Sequence, residues 1–212
     1  SVYGARLELG RILAQKVQSA INAGEIAPDI ICPVPDTSRP ATISLSESVR
    51  IPYREAFIKN RYVQRSFILK SQEAREKAVQ LKLSPIPSEI FNKNILLVDD
   101  SVVRGTTSKN IVSLLKSNGA KRITLAITCP AIRHPCFYGI DFPSPNELIA
   151  SGKNEEEIAK WIGVDKVIYL KTDDLKEALG IEDICTGCIS GEYPTDLRGC
   201  EEFTNKRRGA QL

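Results

Sequence analysis

Asp99 and Asp100 stand side by side at the end of an apolar run, and residues 101–108 continue Ser-Val-Val-Arg-Gly-Thr-Thr-Ser. Two adjacent carboxylates are costly unless hydroxyls, cations or a metal ion meet them. Gly105 reaches backbone angles closed to other residues and lets a ligand approach the main chain. Thr106, Thr107 and Ser108 bring hydroxyls to the start of a helical pattern carried by Ile111, Val112, Leu114 and Leu115. Free N–H groups and the positive end of the helix dipole favour a phosphate there. Together these features describe a sugar-phosphate pocket, with sugar hydroxyls on the acids and phosphate on the turn. The plain alternative is a strand-end turn followed by an N-cap. The unbroken order of strand, acids, glycine, hydroxyls and helix favours the pocket.

Two other stretches carry chemistry of the same kind. Asp36, Thr37, Ser38 and Arg39 follow a short apolar strand and suit a pyrophosphate with its metal ion; the alternative is an ordinary Pro-Asp turn with one of Asp36, Thr37 or Ser38 as N-cap. Arg54, Lys59, Arg61 and Arg65, interleaved with Tyr53, Phe57, Tyr62 and Phe67, read as an anion clamp, as a nucleic-acid contact, or as a solvated charged loop. Cys185 and Cys188 form a Cys-x-x-Cys pair suited to a metal, an iron–sulfur cluster or redox chemistry, without a thioredoxin-like context.

The elements that must position these groups are α/β in type. Residues 95–98 form a continuous β-prone run, as in a strand buried on both faces of a parallel sheet. Ligands of such sheets collect beyond the carboxyl ends of the strands, where Asp99 and Asp100 sit. Residues 29–34, 122–128 and 167–170 read as further strands. Residues 1–24 form an amphipathic helix ended by Gly24, and 71–91 are helix-prone until Pro85 and Pro87. Residues 147–163 read as two short helices with Trp161 inward, and 175–179 as a last helical turn. The expectation is a central, mostly parallel sheet with helices on both faces.

At 212 residues the chain suits one α/β domain with additions. A net charge of +3 is too small to argue for nucleic acid, and Lys206-Arg207-Arg208 reads as a solvated end. No apolar run approaches the ~20 residues of a membrane span, and no secretory pattern opens the chain. Six cysteines do not resemble a secreted disulfide framework, so a cytosolic (cytoplasmic) or organellar-stroma setting is expected. The lack of methionine and a start inside a helical pattern suggest a processed, truncated or designed fragment.

LLVDDSVVRGTTS resembles the phosphoribosyl pyrophosphate (PRPP) motif of type I phosphoribosyltransferases, and its ending is similar to the glutamine PRPP amidotransferase (amidophosphoribosyltransferase) branch. PVPDTSR resembles that family's pyrophosphate loop. KNRYVQRSFI resembles its closing loop, with Gln64 and Ser66 where the family has glycine and threonine. SVYGARLELGRILA resembles the junction between the glutaminase and phosphoribosyltransferase halves. The likeness runs from residue 1 to about 195, with four motifs in order.

The resemblance implies a phosphoribosyltransferase domain over residues 1–184, a Cys-containing tail over 185–212, and a glutaminase domain that these residues lack. It implies transfer of ammonia to PRPP, giving 5-phosphoribosylamine and pyrophosphate, the first step of purine synthesis. Mg²⁺ would be met by Thr37, Asp99 and Asp100; substrate by Asp36, Thr37, Ser38, Arg39, Tyr62, Arg65, Ser101, Val103, Arg104, Gly105, Thr106 and Thr107; and Lys59 and Arg61 would join the acids in catalysis. Ammonia needs no strong base, which leaves His134 structural. CTGCISGEYP and HPCFYGID resemble the iron–sulfur subclass, implying Cys136, Cys185 and Cys188 as ligands of a [4Fe–4S] cluster whose fourth ligand is not in this chain. A homo-oligomer and feedback purine nucleotides are expected partners. Two rival readings are a salvage phosphoribosyltransferase acting on a nucleobase and a PRPP- or nucleotide-sensing protein without turnover.

Overall fold

The aliphatic runs pair with one another because each is apolar on both faces and must be covered twice. The computed structural model describes residues 1–60, 83–138, 140 and 145–199. In chain order its elements are α1 (Val2–Asn22), β1 (Ile30–Pro33), α2 (Arg39–Val49), β2 (Phe57–Lys59), β3 (Leu83–Pro85) and α3 (Pro87–Ile90). Then follow β4 (Asn94–Asp99), α4 (Thr106–Ser117), β5 (Arg122–Ile127), a 3-10 turn (Pro145–Glu147), α5 (Glu155–Ile162), β6 (Lys166–Tyr169), α6 (Thr172–Leu179) and α7 (Gly187–Ser190).

Strands β1, β4, β5 and β6 form one sheet in the order β1-β4-β5-β6, with every pairing parallel. The centre is β4, and its alternate residues feed two separate cores. Ile95 and Leu97 pack with Ile111 and Leu115 of α4 and Ile158 and Ile162 of α5. Leu96 and Val98 pack with Ile12, Leu13 and Val17 of α1 and Leu45 of α2. Burial on both faces explains why β4 shows no polar alternation. A further extended stretch runs beside β1: Ile31 N donates to Pro52 O, and Arg54 N donates to Ile31 O, both at 2.9 Å.

Several expectations need correction. Within the helix-prone stretch, residues 83–85 are a strand, paired antiparallel with β2 in the register Phe57↔Pro85 and Lys59↔Leu83. Pro85 closes that strand, and Pro87 opens the single turn of α3, where a missing N–H costs nothing. Of the two helices expected over 147–163, α5 forms, fixed by a capping box between Asn154 and Glu157. The first is a 3-10 segment followed by hydrogen-bonded turns. Trp161 is 38% exposed and does not point into the core. Residues 130–138 form a loop to which the Cys-containing stretch is pinned: Arg133 N and His134 N donate to Cys188 O, and Tyr193 Oη donates to Pro135 O at 2.7 Å. Among the described residues no helix is long and apolar enough to cross a membrane.

Candidate functional site

Parallel pairing brings the carboxyl ends of β1 and β4 together, Pro33 opposite Val98. The loops that leave these strands therefore face one another. Between them lies a cavity of about 350 Å³, lined by Val34, Pro35 and Thr37 on one side and by residues 99–108 on the other. Ser101, Val103, Arg104, Gly105, Thr106 and Thr107 all reach it, as do both acids.

The acid pair is held by its own main chain. Asp99 Oδ1 accepts from Asp100 N and Asp100 Oδ1 from Ser101 N, each at 2.9 Å. Thr128, just past β5, donates from N to Asp99 O at 3.1 Å and from Oγ1 to Asp100 O at 3.3 Å. Asp99 is 7% exposed, and burial first, then the charge of Asp100, push its carboxyl well above the usual range. A cation or a hydroxyl donor arriving in the cavity relieves that cost.

Gly105 is the N-cap of α4 with φ +76°, so no cap side chain covers the first-turn amides. Thr106 and Thr107 are exposed at this end. A Cβ at Gly105 would stand 2.5 Å from Ile149 Cδ1 and 2.8 Å from Trp161 Cζ3. The turn thus rests on a floor from α5 and the segment before it, and Ile149 N donates to Val103 O at 2.9 Å. Lys109 Nζ lies 4.8 Å from the centroid of the Trp161 ring. Bare amides, two hydroxyls and a glycine at a helix start make a phosphate seat. Arg104 turns its Nε to Glu147 Oε2 at 3.0 Å, both side chains 53% exposed.

The 35–39 loop is organised differently from expectation. Ser38 is 1% exposed and donates from Oγ to Val34 O at 2.6 Å; it holds the loop's shape and does not line the cavity. Ser38 stands at the N-cap of α2, where its carbonyl accepts from Thr42 Oγ1 at 2.7 Å while its side chain makes no capping bond. Asp36 accepts from Arg39 Nη1 at 2.7 Å and from Lys59 Nζ at 2.6 Å. Lys59 is therefore an ion-pair partner on β2 in this state, and neither it nor Arg39 lines the cavity. Arg39 also donates from Nε to Glu55 Oε1 at 3.0 Å, a contact sixteen residues apart that no local pattern announces. Thr128, Ile149, Trp161 and Glu55 are the site neighbours that motif reading missed. Arg61, Tyr62 and Arg65 lie outside the described residues.

Thr37, Asp99 and Asp100 put oxygen donors around one cavity. That set fits Mg²⁺, which takes one or two carboxylates and leaves its other positions to water and substrate phosphates. The cysteines fit a cluster less well. Burial, then the charges of Cys136 and Cys185, push the Cys188 thiol up, so these three share a neighbourhood. Yet among the described residues no group of three or more His, Cys, Asp or Glu side chains is placed to hold a metal ion. Cys32 is fully buried and burial pushes its thiol up to about 12, which removes it as a nucleophile.

The phosphoribosyl transferase domain model matches residues 5–138. The amidophosphoribosyltransferase of Methanocaldococcus jannaschii is 49% identical over 197 residues, covering 93% of this chain and 40% of that protein. Its counterpart from Bacillus subtilis is 43% identical over 203 residues, covering 93% and 41%. The solved B. subtilis glutamine PRPP amidotransferase, complexed with ADP and GMP, superposes with a TM-score of 0.79 at 42% identity, covering 92% of this chain and 43% of that one. This chain thus spans about 40% of the curated relatives it matches. The expected type I phosphoribosyltransferase fold, a parallel sheet flanked by helices, holds. The chain belongs to the phosphoribosyl transferase domain family, and within it resembles the phosphoribosyltransferase portion of the amidophosphoribosyltransferases.

Proposed function

We propose that this chain catalyses displacement of pyrophosphate from C1 of PRPP by ammonia, giving 5-phosphoribosylamine. The observation that carries the reading is one cavity with the acid pair, the open start of α4, and Pro35 and Thr37 on its walls. A sugar carrying phosphates at both ends matches that order of groups. The first-turn amides with Thr106 and Thr107 hold the 5-phosphate. Asp99 and Asp100 face the ribose hydroxyls and steady positive charge developing at the anomeric carbon. The loop around Asp36 to Arg39, with Lys59, receives the pyrophosphate. Thr37, Asp99 and Asp100 would hold Mg²⁺, which would supply neutralisation of charge on the leaving group. Arg61, Tyr62 and Arg65 complete the substrate contacts by family likeness.

Likeness to the B. subtilis glutamine PRPP amidotransferase makes glutamine the proposed source of ammonia, and the ADP and GMP in that complex make purine nucleotides the proposed feedback ligands. By the same family likeness the proposal extends to the first step of purine synthesis, and it includes a homo-oligomer and a cytoplasmic setting. Residues 1–184 serve as the catalytic domain, with 185–212 appended. Cys136, Cys185 and Cys188 are the thiols proposed for an iron–sulfur cluster. Iron and sulfide stoichiometry after anaerobic reconstitution tests it, and substoichiometric iron rejects it.

The test of function is Mg²⁺-dependent pyrophosphate release from PRPP by the 212-residue chain, supplied in turn with ammonium, glutamine, or single nucleobases. Release with ammonium and not with glutamine is the expected result. Release only with a base points to salvage chemistry, and binding of PRPP without release in any arm points to a sensor.

A further inference from the structure

We infer that Glu55 is a positioning residue: its two-oxygen hold on Arg39 keeps that arginine aimed at the 35–39 loop. The inference rests on the reading above, in which that loop receives pyrophosphate. Arg39 donates from Nε to Glu55 Oε1 at 3.0 Å and from Nη2 to Oε2 at 3.5 Å, which leaves Nη1 to Asp36 Oδ1 at 2.7 Å. Tyr53 stands two residues before Glu55, on the same side of the extended chain, and its Oη donates to Oε1 at 2.5 Å. Glu55 is itself fixed on both flanks. Before it, two backbone hydrogen bonds tie residues 52–54 to Ile31. After it, Ala56 N donates to Cys32 Sγ at 3.4 Å and Ala56 O accepts from Ile86 N at 2.9 Å. A carboxylate on so rigid a segment can fix a long, flexible partner.

The charges explain why such fixing matters. Asp36 pairs with both Arg39 and Lys59, and Glu55 pairs with Arg39, so an incoming pyrophosphate must compete with Asp36 for both cations. Glu55 takes the opposite edge of the guanidinium. It leaves the Nη1 edge facing the loop and removes the rotamer entropy that the anion would otherwise have to offset.

The test compares wild type, Glu55→Gln, Arg39→Ala and the double variant. Readouts are kcat and KM for PRPP with ammonium, inhibition by inorganic pyrophosphate, inhibition by ribose 5-phosphate, and the melting temperature. Glu55→Gln is expected to raise the KM for PRPP and the inhibition constant of pyrophosphate about tenfold, with kcat within about twofold. Ribose 5-phosphate, which lacks the pyrophosphate, should bind as before. In the Arg39→Ala background the Glu55 substitution should add nothing, because both changes remove one coupled unit. Equal effects of Glu55→Gln with and without Arg39, or an equal loss for ribose 5-phosphate, overturn the inference. If the Gln variant does not fold, Tyr53→Phe removes one donor from the same carboxylate and should shift the same constants in the same direction; no shift overturns it. A wild-type chain with no turnover refutes the proposed function instead, and direct calorimetric titration with Mg²⁺-pyrophosphate then decides on Glu55.

Discussion

Gly105→Ala probes the floor beneath the proposed phosphate seat. At φ +76° a Cβ costs about 1–2 kcal/mol from backbone strain alone. The same Cβ would meet Ile149 Cδ1 at 2.5 Å and Trp161 Cζ3 at 2.8 Å. Ile149 is 4% exposed and cannot withdraw, whereas Trp161 lies partly in solvent and can tilt. Overpacking therefore falls in the lower half of its usual range, about 1–2 kcal/mol, for a total of roughly 2–4 kcal/mol. For a domain of this size that lowers the melting temperature by roughly 5–15 °C. Relief of the clash moves the N-cap of α4, and with it the first-turn amides, so the KM for PRPP should rise about tenfold or more. Gly24→Ala is the comparator: φ is +72°, nothing lies within 4 Å of its Cβ, and it is remote from the cavity. It should cost only the backbone strain and leave KM unchanged. Thermal melts and pyrophosphate release on both variants make the measurement. Equal melting losses at the two glycines, with KM unchanged at Gly105, refute the reasoning.

Three further outcomes are expected. Asp99 has a folded-state pKa raised by burial, so its charged form opposes folding: its contribution is best below the unfolded value and declines as pH rises through the folded one. In chelator and without substrate, Asp99→Asn should melt higher than wild type at about pH 8, with the gap closing toward about pH 4; a lower melting point at alkaline pH contradicts this. In alkylation at mildly alkaline pH, exposed Cys185 should label, while Cys32 and Cys129, whose thiols burial pushes up to about 12, should stay protected until the chain unfolds; peptide mapping reads the order. Leu97→Ala at the fully buried centre of the sheet should cost about 2–5 kcal/mol in denaturant melts, and a loss under about 1 kcal/mol would show the core is not packed as described.

The parts legible from residue order were those written locally. Four aliphatic runs, an acid pair at a strand end and a glycine before hydroxyls stated both the parallel sheet and one wall of the cavity. Ser38 is of a type that a helix start and an anion loop both use; its hydroxyl bonds to Val34 O, a contact that residue order does not announce. Strand β3 hid in a helix-prone stretch because its pairing with Phe57–Lys59 is tertiary, and pairing overrides propensity. Trp161 was expected inside since large aromatics usually are, yet its position is set by the turn at Gly105 that it supports. Glu55 carries no local signal within its basic stretch. Its role depends on Arg39, which residues 52–54 bring near only by lying along β1.

The central claim is that the cavity between the β1 and β4 loops performs pyrophosphate displacement, and Asp100→Asn tests it most directly. The variant keeps size and main-chain geometry while removing the charge. Folding is checked by thermal melting, and Mg²⁺-dependent pyrophosphate release from PRPP is measured with saturating ammonium. The account predicts turnover by wild type and a loss of at least about a hundredfold in the folded variant. Wild-type turnover in Asp100→Asn would contradict it.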